Sequence, residues 1–70
     1  MERISIQILS VPHREKLIAE IQCDNYVIAE INQDHDVLEI ESFSYDEHSI
    51  LLPLDEYIKT LEKAKKTLIE

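Results

Sequence analysis

The chain has no glycine. That excludes the glycine-rich phosphate cradles, both the dinucleotide-binding and the P-loop kind, because each needs a backbone that a Cβ would obstruct. Cys23 is the only cysteine, so no disulfide forms within the chain. A single cysteine and three dispersed histidines, His13, His35 and His48, supply no ligand set for a closed structural zinc site. No apolar run approaches the length of a membrane span. The first residues, Met1-Glu2-Arg3-Ile4-Ser5, carry neither the basic n-region nor the apolar h-region of an export signal. These absences predict a soluble cytoplasmic protein with no metal and no cofactor.

The most telling absence is of positive charge. Between Lys16 and Lys59 stand eleven carboxylates and no Lys or Arg: Glu20, Asp24, Glu30, Asp34, Asp36, Glu39, Glu41, Asp46, Glu47, Asp55 and Glu56. The formal net charge is −8. All of it falls in residues 1–50, because residues 51–70 balance Lys59, Lys63, Lys65 and Lys66 against Asp55, Glu56, Glu62 and Glu70. A field of one sign repels itself and works against the compact state. It also disfavours nucleic acid and anionic membrane as partners, since both are bound through clustered Lys and Arg. A basic protein is the partner that such a field attracts.

With 70 residues the chain is expected to form one domain, 1–70, that buries only about 60% of its unfolded surface. Apolar residues make up 44% of the sequence, enough for a packed core and too many for disorder.

Their periodicity predicts four strands and a helix. Alternation of Ile4, Ile6 and Ile8 with Arg3, Ser5 and Gln7 gives a half-buried strand over 3–11, ending near Pro12. Segments 16–22 and 26–32 share the tetrapeptide Ile-Ala-Glu-Ile and read as the two arms of a hairpin. Leu17, Ala19 and Ile21 would then face the core with Val27, Ala29 and Ile31, and pairing those faces requires a loop of odd length around Asp24-Asn25. A fourth strand is expected over 37–43. A two-residue turn at Asp34-His35 would set Ile31 opposite Leu38 and Ala29 opposite Ile40. Residues 44–49 read as a polar loop, and 50–52 either as a short fifth strand or as the lead into a helix. Leu54, Tyr57, Ile58, Leu61, Ala64, Leu68 and Ile69 recur every three or four residues, which predicts a helix over 54–69 with Pro53 at its first turn. The expected fold is α+β: a four-stranded antiparallel meander with one C-terminal helix on one face.

One helix covers one side of such a sheet. The other side would carry Glu20, Glu30, Glu39 and Glu41 among Ile18, Ile28, Val37 and Phe43, a surface both acidic and apolar. Carboxylates of this kind steer a cationic partner and pair with it, while the apolar residues form a dry centre. Tyr45, Asp46 and Glu47 in the loop are further partner-binding candidates. Plainer readings stand beside these. The face could be an ordinary solvated one. It could also be a dimer interface, although stacking two such faces would bring glutamates together. Asp34 is accounted for by turn chemistry.

Catalytic readings find less support. Asp34-x-Asp36 lacks the glycine and the terminal glutamate of a calcium loop. Cys23 has no evident activating base and reads as a small buried hydrophobe. Glu20 and Glu30 as an acid–base pair would need a cleft that an open sheet cannot provide. The chain is therefore expected not to be an enzyme.

Pro12-His13-Arg14-Glu15 followed by Leu17-Ile18-Ala19-Glu20-Ile21, then Ile28-Ala29-Glu30-Ile31-Asn32-Gln33 and the helix from Leu54 to Ile69, resembles a group of short bacterial immunity proteins. Those proteins are paired with polymorphic toxins of the contact-dependent inhibition and Rhs types. The resemblance implies cytoplasmic residence and tight binding of one toxin C-terminal domain, in many cases a nuclease with a basic active site. It assigns no contact residue, because contact surfaces differ from pair to pair. Two other readings share part of the chemistry: an acidic inhibitor or DNA mimic directed at phage or host nucleic-acid machinery, and a structural oligomerisation module. The sequence leaves monomer or dimer open.

Overall fold

A computed structural model of the chain describes residues 3–45 and 49–69. The elements are β1 (Ile4–Leu9), β2 (Ile18–Cys23), β3 (Tyr26–Asn32), β4 (Glu39–Ser42) and α1 (Leu54–Ile69). The strands form an antiparallel sheet in the order β1-β2-β3-β4, so β1 and β4 are its edges. The C-terminal helix packs on β1 and β2. This is the α+β meander that the periodicity predicts, with the helix at the expected bounds.

The β2–β3 hairpin solves its parity problem differently from the expected odd loop. Asp24 and Asn25 both take positive φ, 49° and 79°, and form a two-residue turn between the paired Cys23 and Tyr26. Positive φ at both central positions suits the right-handed twist of a hairpin, and Asn and Asp tolerate it better than other non-glycine residues. An even loop alone would set the apolar faces out of phase. The register shifts at Ile21/Gln22, where Ile28 is left over between Val27 and Ala29, and this bulge brings Ile21 opposite Ala29 and Ala19 opposite Ile31. The bulge also changes which residues are inside: Ile28 joins the core, and Val27 is only half-buried.

Ala19, Ile21, Cys23, Ile28, Ala29 and Ile31 form the core with Ala64 and Leu68 of the helix. Burial of the Cys23 side chain raises its thiol pKa, which fits an inert packing residue. Tyr57 and Leu61 pack at the margin of this cluster, and desolvation raises the Tyr57 phenol pKa. The helix is anchored at its start by the Tyr57 N–H, which donates to the Pro53 carbonyl at 3.1 Å.

Several expected boundaries are corrected. β1 ends at Leu9, because the chain turns at once: the Arg14 N–H donates to the Val11 carbonyl at 3.2 Å. β2 starts at Ile18, and Leu17, expected in the core, is 48% exposed outside the strand. β4 is shorter than 37–43 and slides by two residues: Ile31 faces Ile40, Ala29 faces Ser42, and residues 33–38 form the connection in place of a tight Asp34-His35 turn. A slip of two residues preserves the faces, so Ile40 still points to the helix side. The helix lies over β1 and β2, however, and Ile40 is left 50% exposed. Residues 50–52 form no strand; Ile50 and Leu52 pack against the core as the chain enters the helix.

Candidate functional site

The sheet face opposite the helix is organised by a single arginine. Residues 10–17 connect β1 to β2, and Arg14 within them reaches across that face to carboxylates of three later segments. Its Nε donates to Glu30 Oε2 at 3.0 Å, and its Nη2 lies 2.9 Å from the same oxygen. Its Nη1 donates to Asp34 Oδ2 at 2.7 Å, and Nη2 lies 3.4 Å from Glu41 Oε1. The bond to Asp34 is the main cause of an Arg14 pKa above the ordinary arginine value. A planar fork of donors suits this shared grip on several carboxylates, which a lysine ammonium would not reproduce.

Arg14 thereby solves a folding problem. Glu30 and Glu41 are directly opposed on neighbouring strands, as are Glu20 and Glu30. Like charges in such positions repel. The guanidinium neutralises the centre of the row, and Gln22 Nε2 donates to Glu20 Oε1 at 3.2 Å at its margin. Ile18 shares this face, as the partner of Leu9, and is buried apart from the helix-side core. The face is thus partly roofed and is not the open acidic plane expected from alternation.

The candidate residues consequently divide. Glu30 is 6% exposed and held by Arg14, so it is a structural carboxylate that no partner reaches. Glu20 is half-buried. Glu39 and Glu41 lie on the edge strand β4 with about half of each side chain exposed (47% and 55%). Glu39 also pairs with His35. Phe43 leaves this face: its N–H donates to the Ile28 carbonyl at 3.0 Å, and it lines a cleft of about 560 Å³ beside the helix start with Ser42, Ile50, Leu54 and Tyr57. Tyr45 anchors the segment after β4. Its hydroxyl donates to the Val27 carbonyl at 2.6 Å, and its ring packs against Tyr26 with centroids 4.9 Å apart. Asp46 and Glu47 lie outside the described residues.

At the far end of the sheet, Arg3 binds Asp24 through Nε and Nη2, at 3.1 and 2.8 Å, and also donates to the Leu51 carbonyl. This pairing lowers the Asp24 pKa, the hydrogen bond from Arg3 being the main cause. Sequence reasoning missed both arginines as organisers. The signal was present: Arg3 and Arg14 are the only arginines, in a half-chain crowded with carboxylates. What the sequence does not encode is the path of the 10–17 connection across the sheet.

Among the described residues no cluster of His, Cys, Asp and Glu is arranged to hold a metal, and no helix is long and apolar enough to cross a membrane. Comparison with protein-family models, with curated proteins and with solved structures finds no match to this chain.

Proposed function

We propose that this chain is an immunity-type inhibitor that binds a basic protein partner, a toxin C-terminal nuclease domain, and neutralises it by occluding its cationic active site. The observation that carries this reading is the fate of the two arginines. Arg3 is committed to Asp24, and Arg14 to Glu30, Asp34 and Glu41, yet residues 17–58 still hold carboxylates with no lysine or arginine of their own. Internal pairing therefore occupies both arginines and leaves a net negative field. Such a field speeds encounter with a cation and rejects anionic competitors. Cytoplasmic residence, where a producer cell needs protection, belongs to the same proposal. So does the absence of a catalytic step of its own: the inhibitor acts by covering.

The test is to capture partners of the tagged chain from its native bacterial lysate at moderate salt and to assay what is recovered. The expected result is one basic domain in near-equal amount whose nuclease activity is suppressed by the added chain. Affinity should fall as salt rises, because exposed charges are screened over about 8–10 Å. Recovery of no basic partner would overturn the reading.

A second reading is favoured by a separate observation. Ile40, Leu51, Leu54 and Ile58 are exposed apolar side chains, Leu51 and Leu54 lining one cleft, and such groups suit self-association. A mass that rises with concentration, with no basic partner, would select it.

A further inference from the structure

We infer that the partner is bound by strand addition to the open edge of β4, and that the strand it contributes alternates Lys or Arg with large apolar residues. The inference rests on the basic-partner reading above and adds where and how the partner docks.

The backbone geometry comes first. Phe43 donates its N–H to the Ile28 carbonyl, which makes Phe43 and Ile28 a hydrogen-bonded pair of the β3–β4 ladder. By alternation, Glu41 and Glu39 also turn their backbone groups inward to β3. Ile40 and Ser42 turn their N–H and C=O groups outward, to an edge with no strand partner among the described residues. All of β4 is exposed. An edge of this kind is a template for another strand.

The side chains specify what that strand must be. An added antiparallel strand would meet Ile40 and Ser42 at its hydrogen-bonded positions, and Glu39 and Glu41 at the non-hydrogen-bonded ones, where opposed side chains come closest. On the carboxylate side, Glu39 touches His35 and Glu41 lies at the margin of Arg14, but about half of each side chain stays exposed, and these outer oxygens call for Lys or Arg. On the other side, Ile40 is half exposed, and Ser42 on the same face lines the apolar cleft with Phe43 and Leu54. That side calls for large apolar residues. A second copy of β4 meets the apolar requirement and fails the charge requirement, since glutamate would oppose glutamate. Guard charges that keep an edge unpaired would explain Glu39 and Glu41. They would not explain an uncovered apolar face behind the same strand.

The probe is a capped peptide of about seven residues alternating Lys and Val, compared with a proline-interrupted peptide of equal charge that cannot form a strand. Binding is followed by amide shifts and by titration, for the wild chain, for Ser42→Pro and for Glu39→Lys/Glu41→Lys. Ser42→Pro removes an outward N–H and leaves the inner ladder and the charge unchanged. The expected result is that the alternating peptide binds with shifts centred on Glu39–Ser42, and that each variant weakens it about tenfold or more. The interrupted peptide should bind far more weakly. Equal binding of both peptides, lost on charge reversal but kept in Ser42→Pro, would overturn strand addition and leave the basic-partner reading standing. Failure of both peptides to bind the wild chain would overturn strand addition and count against the basic-partner reading as well.

Discussion

Arg14 Nη2 lies 2.9 Å from Glu30 Oε2, a pairing that ties the β1–β2 connection to the middle of β3. Glu30 is nearly fully buried, so removing this guanidinium would leave a carboxylate out of water without its ionic partner. A buried polar group that loses its partner costs about 1–3 kcal/mol, and more when it is charged. Arg14→Ala should therefore lower the urea midpoint clearly. Arg14→Lys should restore little, because one ammonium cannot span Glu30, Asp34 and Glu41. Adding Glu30→Gln to Arg14→Ala should recover part of the loss. A midpoint unchanged in Arg14→Ala would mean that the pair contributes nothing to stability.

The hairpin turn gives a backbone test. Asn25 sits at φ 79°, where a Cβ without a compensating polar group costs roughly 1–2 kcal/mol. Asn25→Ala should be destabilised by about that amount, and Asn25→Gly should match or exceed the wild chain. Equilibrium denaturation of the two variants reads this directly. Equal stability of both would show that the turn is not held in the left-handed region.

The core offers a calibrated comparison. Ile21 is fully buried at the centre of the sheet, so Ile21→Ala should cost about 2–5 kcal/mol. Leu51 is 87% exposed, and Leu51→Ala should change stability by no more than about 0.5 kcal/mol. Similar losses in both would contradict the burial pattern.

What was legible in the sequence follows from how local each signal is. The helix from Leu54 to Ile69 was legible to the residue because its stripe repeats over many turns and Pro53 marks its start. Most strand faces were legible because their period of two survives a slip of two residues, which is why Glu30 and Glu41 were placed on one side although the β3–β4 register was not. Ile28 and Phe43, expected on the outer face, and Leu17, expected in the core, were misplaced. The bulge at Ile28 was only half legible. The parity conflict between the Asp24-Asn25 turn and the apolar faces announced an irregularity, but not whether loop or strand would absorb it. Arg14 was not legible as the keystone of the acidic face. Its contacts span 16 to 27 residues of sequence and depend on tertiary geometry that no local pattern encodes.

The Arg3–Asp24 pair makes a prediction in pH. Its carboxylate has a pKa below the unfolded value, so its stabilising contribution is present above the unfolded pKa, about 3.9, and is lost as the pH falls through the folded one. Both side chains are about half exposed, and salt will screen the effect. Asp24→Asn keeps a residue that tolerates positive φ and removes the titration. The stability difference between wild chain and variant should shift in favour of the variant as the pH drops below about 4, whatever constant offset the asparagine brings. A difference independent of pH between 2 and 6 would remove Arg3 as the cause.

Charge reversal separates the carboxylates that hold the fold from those that face outward. Glu30 and Glu41 are opposed on adjacent strands and look equivalent in an alternating sequence. Glu30 is buried under Arg14, so Glu30→Lys places two cations together in a nearly dry site and should unfold the chain or leave it marginal. Glu41 is 55% exposed and 3.4 Å from the guanidinium, so Glu41→Lys should fold with a modest loss of stability. It should also slow association with a basic partner and make that association less sensitive to salt, because the on-rate follows the field of the outer surface. Circular dichroism with stopped-flow association across a salt series tests both halves. A folded Glu30→Lys variant would sink the structural role assigned to Glu30. An unchanged association rate in Glu41→Lys would remove β4 from the contact surface.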